Sequence, residues 1–325
     1  MKGILRVFPR SNSFTPTDDL AFVGDPPLFR LPADEVHVSC TFTWDIMEAE
    51  RLCTAWAQYY PCVELGGPAI TPSNADFLPG RYVRDGVTFT TRGCNGACPW
   101  CLVPGREGRL QELANFAPGW IVQDNNLLQA SRGHLARVFE MLRSQRHAVT
   151  FSGGLDACLL SDKVADEIRG LRIDQVFLAA DTPGSVHYIE RAMKHLQLPG
   201  RRWRVRVYAL LGYDGETIDR ATERLEAIWA IGAMPFAQLY QPPDRWIDYS
   251  AEWRTLAREW SRPAIMQGMH KGEVQRDYVF GLPSVREGEG GFHRASMGRH
   301  CTGTGDLCTA RGSRCMLDGL QRTGG

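Results

Sequence analysis

The stretch "TTRGCNGACPWCLVP" (residues 90–104) brings three cysteines, Cys94, Cys98 and Cys101, into eight positions. Thiols this close imply a redox pair with a spare, a metal site, or coincidence. The residues just before them read as a strand. "GVTFTTRG" (86–93) is rich in β-branched residues and ends at Gly93. The thiols therefore sit in a loop that leaves a strand directly.

Outward from this loop the chain alternates regularly. "GWIVQDNN" (119–126) reads as a second strand, followed by a helix through "GHLARVFEMLRSQ" with Leu135, Val138, Phe139 and Leu142 as its apolar stripe. "HAVTFSGG" precedes a helix "SDKVADEIRGL", and "IDQVFLAAD" precedes a helix "SVHYIERAMKHL". "RVRVYALLGYDG" leads to a helix "TIDRATERLEAIWAIG", and "PFAQLYQPP" closes the series. Six strands separated mostly by helices predict a parallel sheet with right-handed crossovers, either doubly wound or a partial (βα)6 barrel. In both, ligands bind at the carboxyl ends of the strands.

The flanks differ. Residues 1–78 predict a small Rossmann-like α/β unit, with strands in "ILRVF", "EVHVSCTF" and "CVELGGPA" and a helix "WDIMEAERLCTAWAQYY". "TPSNADFLPG" (71–80) reads as a linker. The barrel-like series is placed at 79–245 and a helical segment at 246–285. There "DRWIDYSAEWRTLAREWSRPA" predicts a helix ended by Pro263, with Trp246, Trp253 and Trp260 recurring every seven residues. A Gly- and Arg-rich tail occupies 286–325.

Composition narrows the class. The 325 residues are 43% hydrophobic and 23% charged, an ordinary globular balance. Lys plus Arg and Asp plus Glu stand at 37 each, so no global field would recruit nucleic acid or membrane. No run approaches the roughly 18 apolar residues of a membrane span, and "MKGILRVFPR" is too short in apolar residues for a signal peptide; a cytoplasmic protein is expected. Ten cysteines in a reducing compartment argue against a disulfide framework.

No fourth ligand lies near the trio, as a structural zinc site would need. Soft thiolates in a short loop suit an iron–sulfur cluster. Three ligands on a four-iron cube would leave one iron open to substrate. The C-x3-C-x2-C spacing with aromatic Trp100 before the last cysteine resembles the signature of radical S-adenosylmethionine enzymes. The resemblance runs through the six βα units and implies a [4Fe–4S] cluster on Cys94, Cys98 and Cys101. It also implies S-adenosylmethionine bound at the open iron, cleaved to a 5′-deoxyadenosyl radical, and an electron donor such as flavodoxin or ferredoxin. Trp100 would pack near the adenine. Asp124, Asn125 and Asn126 would meet the methionine amino group, with Asp124 favoured and the stretch from Ser152 to Asp156 as the rival place. Asp181 would face the ribose or carboxylate, and Gly212, Asp214 and Glu216 would form the fifth-strand element. Gln238 and Tyr240 are further lining candidates.

The resemblance weakens in the flanks. The N-terminal unit is similar in part to the domain preceding the barrel in cobalamin-dependent and methylthio-transferring branches, which points to methyl or methylthio transfer. It lacks an Asp-x-His-x-x-Gly element to ligate cobalt, so a role for cobalamin is weakly implied. Cys40, Cys53 and Cys62 there, and Cys158 later, are read as buried apolar side chains. Cys301, Cys308 and Cys315 recur at C-x6-C-x6-C in a segment too Gly-rich to fold alone, so a second iron–sulfur cluster or a zinc ion is a tentative reading beside an unliganded tail. Arg201, Arg202, Arg204 and Arg206 read as a solvated face. With Arg294, Arg299, Arg311 and Arg314 they leave open a phosphate-bearing or RNA substrate. The competing class is a non-catalytic iron–sulfur or zinc-binding interaction protein.

Overall fold

The computed structural model describes residues 3–70, 80–198, 202–242 and 245–270. It is an α/β protein with two parallel sheets. The first contains β1 (Ile4–Phe8), β2 (Ala21–Val23), β3 (Glu35–Ser39) and β4 (Val63–Gly66), in the order β2-β1-β3-β4. Helix α1 (Ile46–Ala57) connects β3 to β4. Its Ala49, Leu52 and Trp56, at helical spacing, bury against Leu5, Val7, Val36 and Val38. Cys40 belongs to this core, donates to the Phe42 carbonyl at 3.2 Å, and has its thiol pushed up to about 12, chiefly by burial. Cys53 packs against the same cluster, so both behave as the apolar side chains their positions predicted.

The second sheet carries the site. Its strands are β5 (Val87–Thr88), then, after a ribbon of β6 (Thr91–Arg92) and β7 (Gln111–Glu112), β8 (Ile121–Val122), β9 (Val149–Leu155), β10 (Ile173–Ala179), β11 (Val205–Leu211) and β12 (Met234–Leu239). All six run parallel in the order β12-β11-β10-β9-β8-β5, each beside the one before it in the chain. This sequential order excludes a doubly wound sheet, whose strand order reverses at a switch point. Among the described residues β5 and β12 pair with no seventh strand, so the sheet is open.

Helices α3 (Arg132–Arg143), α4 (Asp162–Arg169), α5 (Val186–Leu196) and α6 (Ile218–Ala230) follow β8, β9, β10 and β11; a short α2 (Val103–Glu107) follows the cysteines. Ser131, Ser161 and Thr217 cap α3, α4 and α6 by accepting from backbone N–H groups of the first turn. One sheet face, with Val176, Leu178, Val205, Val207 and Ala209, packs with Ile189, Ala192, Leu225 and Ile228 of the helices in the main core. The other face presents Phe177, Tyr208 and Phe236 as a separate cluster. Alternate residues of one strand thus serve two environments.

The C-terminal helix differs from expectation. It is two helices, α7 (Ala251–Glu259) and α8 (Pro263–Met269), and Pro263 starts the second rather than ending the first. Proline suits a first helical position because the N–H it lacks would have no partner there. Trp246 precedes the helices at 65% exposure while Trp260 is 1% exposed, so the seven-residue recurrence does not mark one face.

Buried Arg224 of α6 ties the sheet's carboxyl edge together. It donates to the carbonyls of Ala180 and Leu210, both at 2.7 Å, and pairs with Glu216 at 2.6 Å. Glu216 in turn accepts from Gly212 N at 2.9 Å. Substituting Arg224→Ala would leave two carbonyls and a carboxylate without their buried partner, and a loss of about 3–5 kcal/mol is expected in denaturant unfolding. Glu226→Ala, on the exposed side of the same helix, should move the midpoint far less.

Candidate functional site

A cavity of about 950 Å³ opens along the Phe177–Tyr208–Phe236 face. Cys94, Cys98, Trp100 and Cys101 line it, together with Asn125, Asn126 and Asp181. Residues brought from 94, 125 and 181 therefore meet at the carboxyl edge of one parallel sheet, where such sheets bind ligands.

The cysteine loop is held at its neck and along its length. The β6–β7 ribbon closes residues 93–110, and Cys94 N donates to the Gly108 carbonyl at 3.2 Å. Within it Cys101 N donates to the Cys98 carbonyl at 3.0 Å. Gln129 accepts from Asn95 N at 2.7 Å. Glu107 accepts from Gly93 N at 3.1 Å and Asn125 Nδ2 at 2.7 Å, and pairs with Arg92 at 2.8 Å. Neither Glu107 nor Gln129 stood out in the sequence, because a polar residue that holds a loop leaves no periodic trace.

The sulfurs sit around Gly96. A methyl group at that position would crowd Cys94 Sγ at 3.3 Å and touch Cys98 Sγ at 3.9 Å. Gly96 N also donates to Cys94 Sγ at 3.2 Å. In this conformation no three His, Cys, Asp or Glu side chains among the described residues gather as a metal-holding group. Trp100 turns from the thiols to pack edge-on against Tyr213 at 5.2 Å, and Tyr213 meets Tyr240 at 4.9 Å. These rings make an aromatic wall beside the cysteines. Tyr249 closes over Gly212, whose φ of +75° and contact with that ring leave no room for a side chain.

Asp124 has a different task from the one its position suggested. It is 1% exposed, and its carboxylate accepts from Thr90 N at 2.6 Å, Thr91 N at 2.8 Å and the Thr90 hydroxyl at 2.5 Å. Those bonds fasten the end of β5 to the end of β8 and do not point into the cavity. Gly153 permits this arrangement: a Cβ there would lie 1.9 Å from the Asp124 carbonyl oxygen. Asn125 and Asn126, rather than Asp124, line the cavity. Asn126 Oδ1 is buried without a partner, while its Nδ2 donates to Asp156 at 3.4 Å.

Four other expectations change. Ser152 donates to the Val122 carbonyl at 3.2 Å and does not line the cavity. Gly212 and Asp214 also lie off the lining, and Glu216 is committed to Arg224. Cys158 is exposed and lines the cavity rather than filling the core. Arg206, read as solvated, reaches into the cavity instead. Asp181, Gln238 and Tyr240 do line it; Asp181 also accepts from Leu210 N at 3.1 Å. Arg201, Cys301, Cys308, Cys315 and the tail arginines lie outside the described residues.

No protein-family model matches the chain, and no curated protein matches it. Among the described residues no helix is long and apolar enough to cross a membrane.

Burial raises the Asp124 carboxyl from an ordinary value near 3.8 to about 6, against the lowering effect of its Thr90 and Thr91 bonds. A folded value above the unfolded one means that stability falls as pH rises from about 4 through 6, by an amount on the order of 2–3 kcal/mol. Asp124→Asn keeps an acceptor for the two N–H groups and should abolish that dependence, so the wild type gains on it as pH drops from 6 to 4. Asp124→Ala leaves buried donors unpaired and should cost about 1–3 kcal/mol for each. Urea unfolding across this pH range checks both.

Proposed function

We propose that the chain is a radical S-adenosylmethionine enzyme built on a partial (βα)6 barrel. The observation that carries the reading is that Cys94, Cys98, Cys101 and Trp100 share one cavity with Asn126 and Asp181, at the carboxyl edge of a sequentially ordered parallel sheet. The donor chemistry suits the cofactor pair, and the three sulfurs would have to draw together to hold the cluster. Three thiols offer soft ligands, and two of them, Cys94 and Cys98, flank Gly96. Asn126 Oδ1, a buried acceptor without a partner, suits an ammonium group. Cys94, Cys98 and Cys101 would hold the [4Fe–4S] cluster and leave one iron for the methionine end of S-adenosylmethionine. When bound, this pair supplies a 5′-deoxyadenosyl radical able to take a hydrogen atom from a substrate.

The chain's own groups orient and protect. Trp100, Tyr213 and Tyr240 give the adenosyl end an apolar, aromatic surface. Asn126 accepts from the ammonium, and Glu107 holds Asn125 beside it. Asp181 offers a carboxylate to the sugar from the end of β10. Tyr208, Leu210 and Phe236 line the remainder with groups that exclude water, which protects a reactive radical from side reactions. An electron donor such as flavodoxin or ferredoxin completes the requirement. Methyl or methylthio transfer, a cobalamin partner and an RNA substrate belong to this proposal only as subclasses, and no residue of the cavity favours one of them.

Two measurements follow. Protein reconstituted without oxygen and reduced with dithionite should convert S-adenosylmethionine to 5′-deoxyadenosine and methionine, and Cys98→Ala should abolish both this activity and the cluster's visible absorbance. A colourless, zinc-loaded protein would instead favour a structural metal site. Iron and sulfide quantitation on a variant lacking Cys301, Cys308 and Cys315 then tests the tail. Half the iron should vanish if a second cluster sits there, and an unchanged content would dismiss it.

A further inference from the structure

Arg206 lies near the start of β11, on the face that carries Tyr208 and Leu210. Leu210 is four residues along the strand, so about 13 Å separates Arg206 from the carboxyl edge at roughly 3.3 Å per residue. The guanidinium therefore marks the end of the cavity away from the cysteines. Its carbon sits 4.5 Å from the centre of the Phe236 ring and 5.5 Å from that of Phe177. One Nη2 hydrogen bond reaches the Ser261 carbonyl at 3.3 Å, and the buried Nε has no partner. Among the described residues no carboxylate pairs with it. Burial pushes its pKa down, opposed only by Tyr208.

A guanidinium has five N–H donors and stays charged at any ordinary pH. Stacking on aromatic faces satisfies its flat sides and leaves the hydrogen-bonding edge for something else. A half-buried charge with no carboxylate partner is costly, and the core-facing positions of the same strand are filled by Val205, Val207 and Ala209. The acids that line the cavity are engaged: Asp181 with Leu210 N, Asp156 with Cys158 N and Asn126, and Asp248 with Arg254. Arg262 lines the same end, next in the chain to the carbonyl that Arg206 touches.

We propose that Arg206 is an anion-binding residue, which grips a carboxylate or phosphate on a ligand whose adjoining apolar part rests on Tyr208, Leu210 and Phe236. The anion site stands on this geometry alone. That its occupant is the substrate, anchored at one end so that its other end approaches the cysteine loop, rests on the radical reading above. The substrate class is then an amphiphilic anion rather than a neutral or cationic molecule.

The test uses the full chain, whatever its iron content, so its outcome is independent of the cluster. Benzoate, phenyl phosphate and neutral benzamide are titrated while the Arg206 Nε–H signal is followed by NMR, assigned by its loss in Arg206→Lys. The site predicts a saturable shift with benzoate or phenyl phosphate and none with benzamide, the better of the two anions naming the head group. Arg206→Lys, which keeps charge but loses the fork, should weaken that anion about tenfold or more, and Arg206→Met should abolish its binding. An unmoved signal with both anions, an equal response to benzamide, or wild-type affinity in Arg206→Met would overturn the proposal. Either variant assigns the signal by its loss, so if one fails to fold the other supplies the assignment and the wild-type titration decides.

Discussion

The carboxylate of Asp124 is the constraint on which the site's geometry depends. It sits where two parallel strands end, and it accepts from two successive backbone N–H groups and one hydroxyl of the neighbouring strand. Those donors would otherwise be buried and unpaired at the point where β5 stops and the cysteine loop begins. By binding them, Asp124 fixes where the chain leaves the sheet and hence where Cys94 starts. Glu107 repeats the device further along the loop, binding Gly93 N and Asn125 together. The cysteine loop is thus placed by two acids spent on backbone and side-chain bonds, Asp124 buried and Glu107 half-buried.

From that anchor the cavity acquires a direction. Thiols and the free acceptor of Asn126 stand at the carboxyl edge, an aromatic wall of Trp100, Tyr213 and Tyr240 rises beside them, and Arg206 lies at the far end. A sequential parallel sheet makes this arrangement natural. Its helices cover one face, so the other is free to be lined by side chains of mixed chemistry. Polar groups can reach a ligand there only from alternate strand positions.

The sequence made the frame legible and obscured the wiring. All six strands and four long helices of the second sheet fall where alternating β-branched runs and helical stripes put them, since burial against a common core imposes that periodicity. The trio of cysteines was visible because spacing alone constrains it. Three features were not. The Asp-Asn-Asn run at 124–126 suggested that Asp124 is the residue turned toward a ligand, yet Asn125 and Asn126 line the cavity while Asp124 is buried, because the chain has already left β8 there and no strand period says which position faces in. The alternation of "RVRV" has the same pattern on a solvated face as on a cavity-lining one, so the pattern alone does not place Arg206 in the cavity. Proline at 263 signals either a helix end or a first turn, and the local backbone chose the second.

Electron paramagnetic resonance of the dithionite-reduced, anaerobically reconstituted chain tests the central claim most directly. The account predicts the half-integer signal of a reduced [4Fe–4S] cluster whose g values shift when S-adenosylmethionine is added, because the iron left open by three thiolates takes the new ligand. A signal from an iron-loaded chain that S-adenosylmethionine leaves unchanged, or no iron–sulfur signal at all, would contradict it.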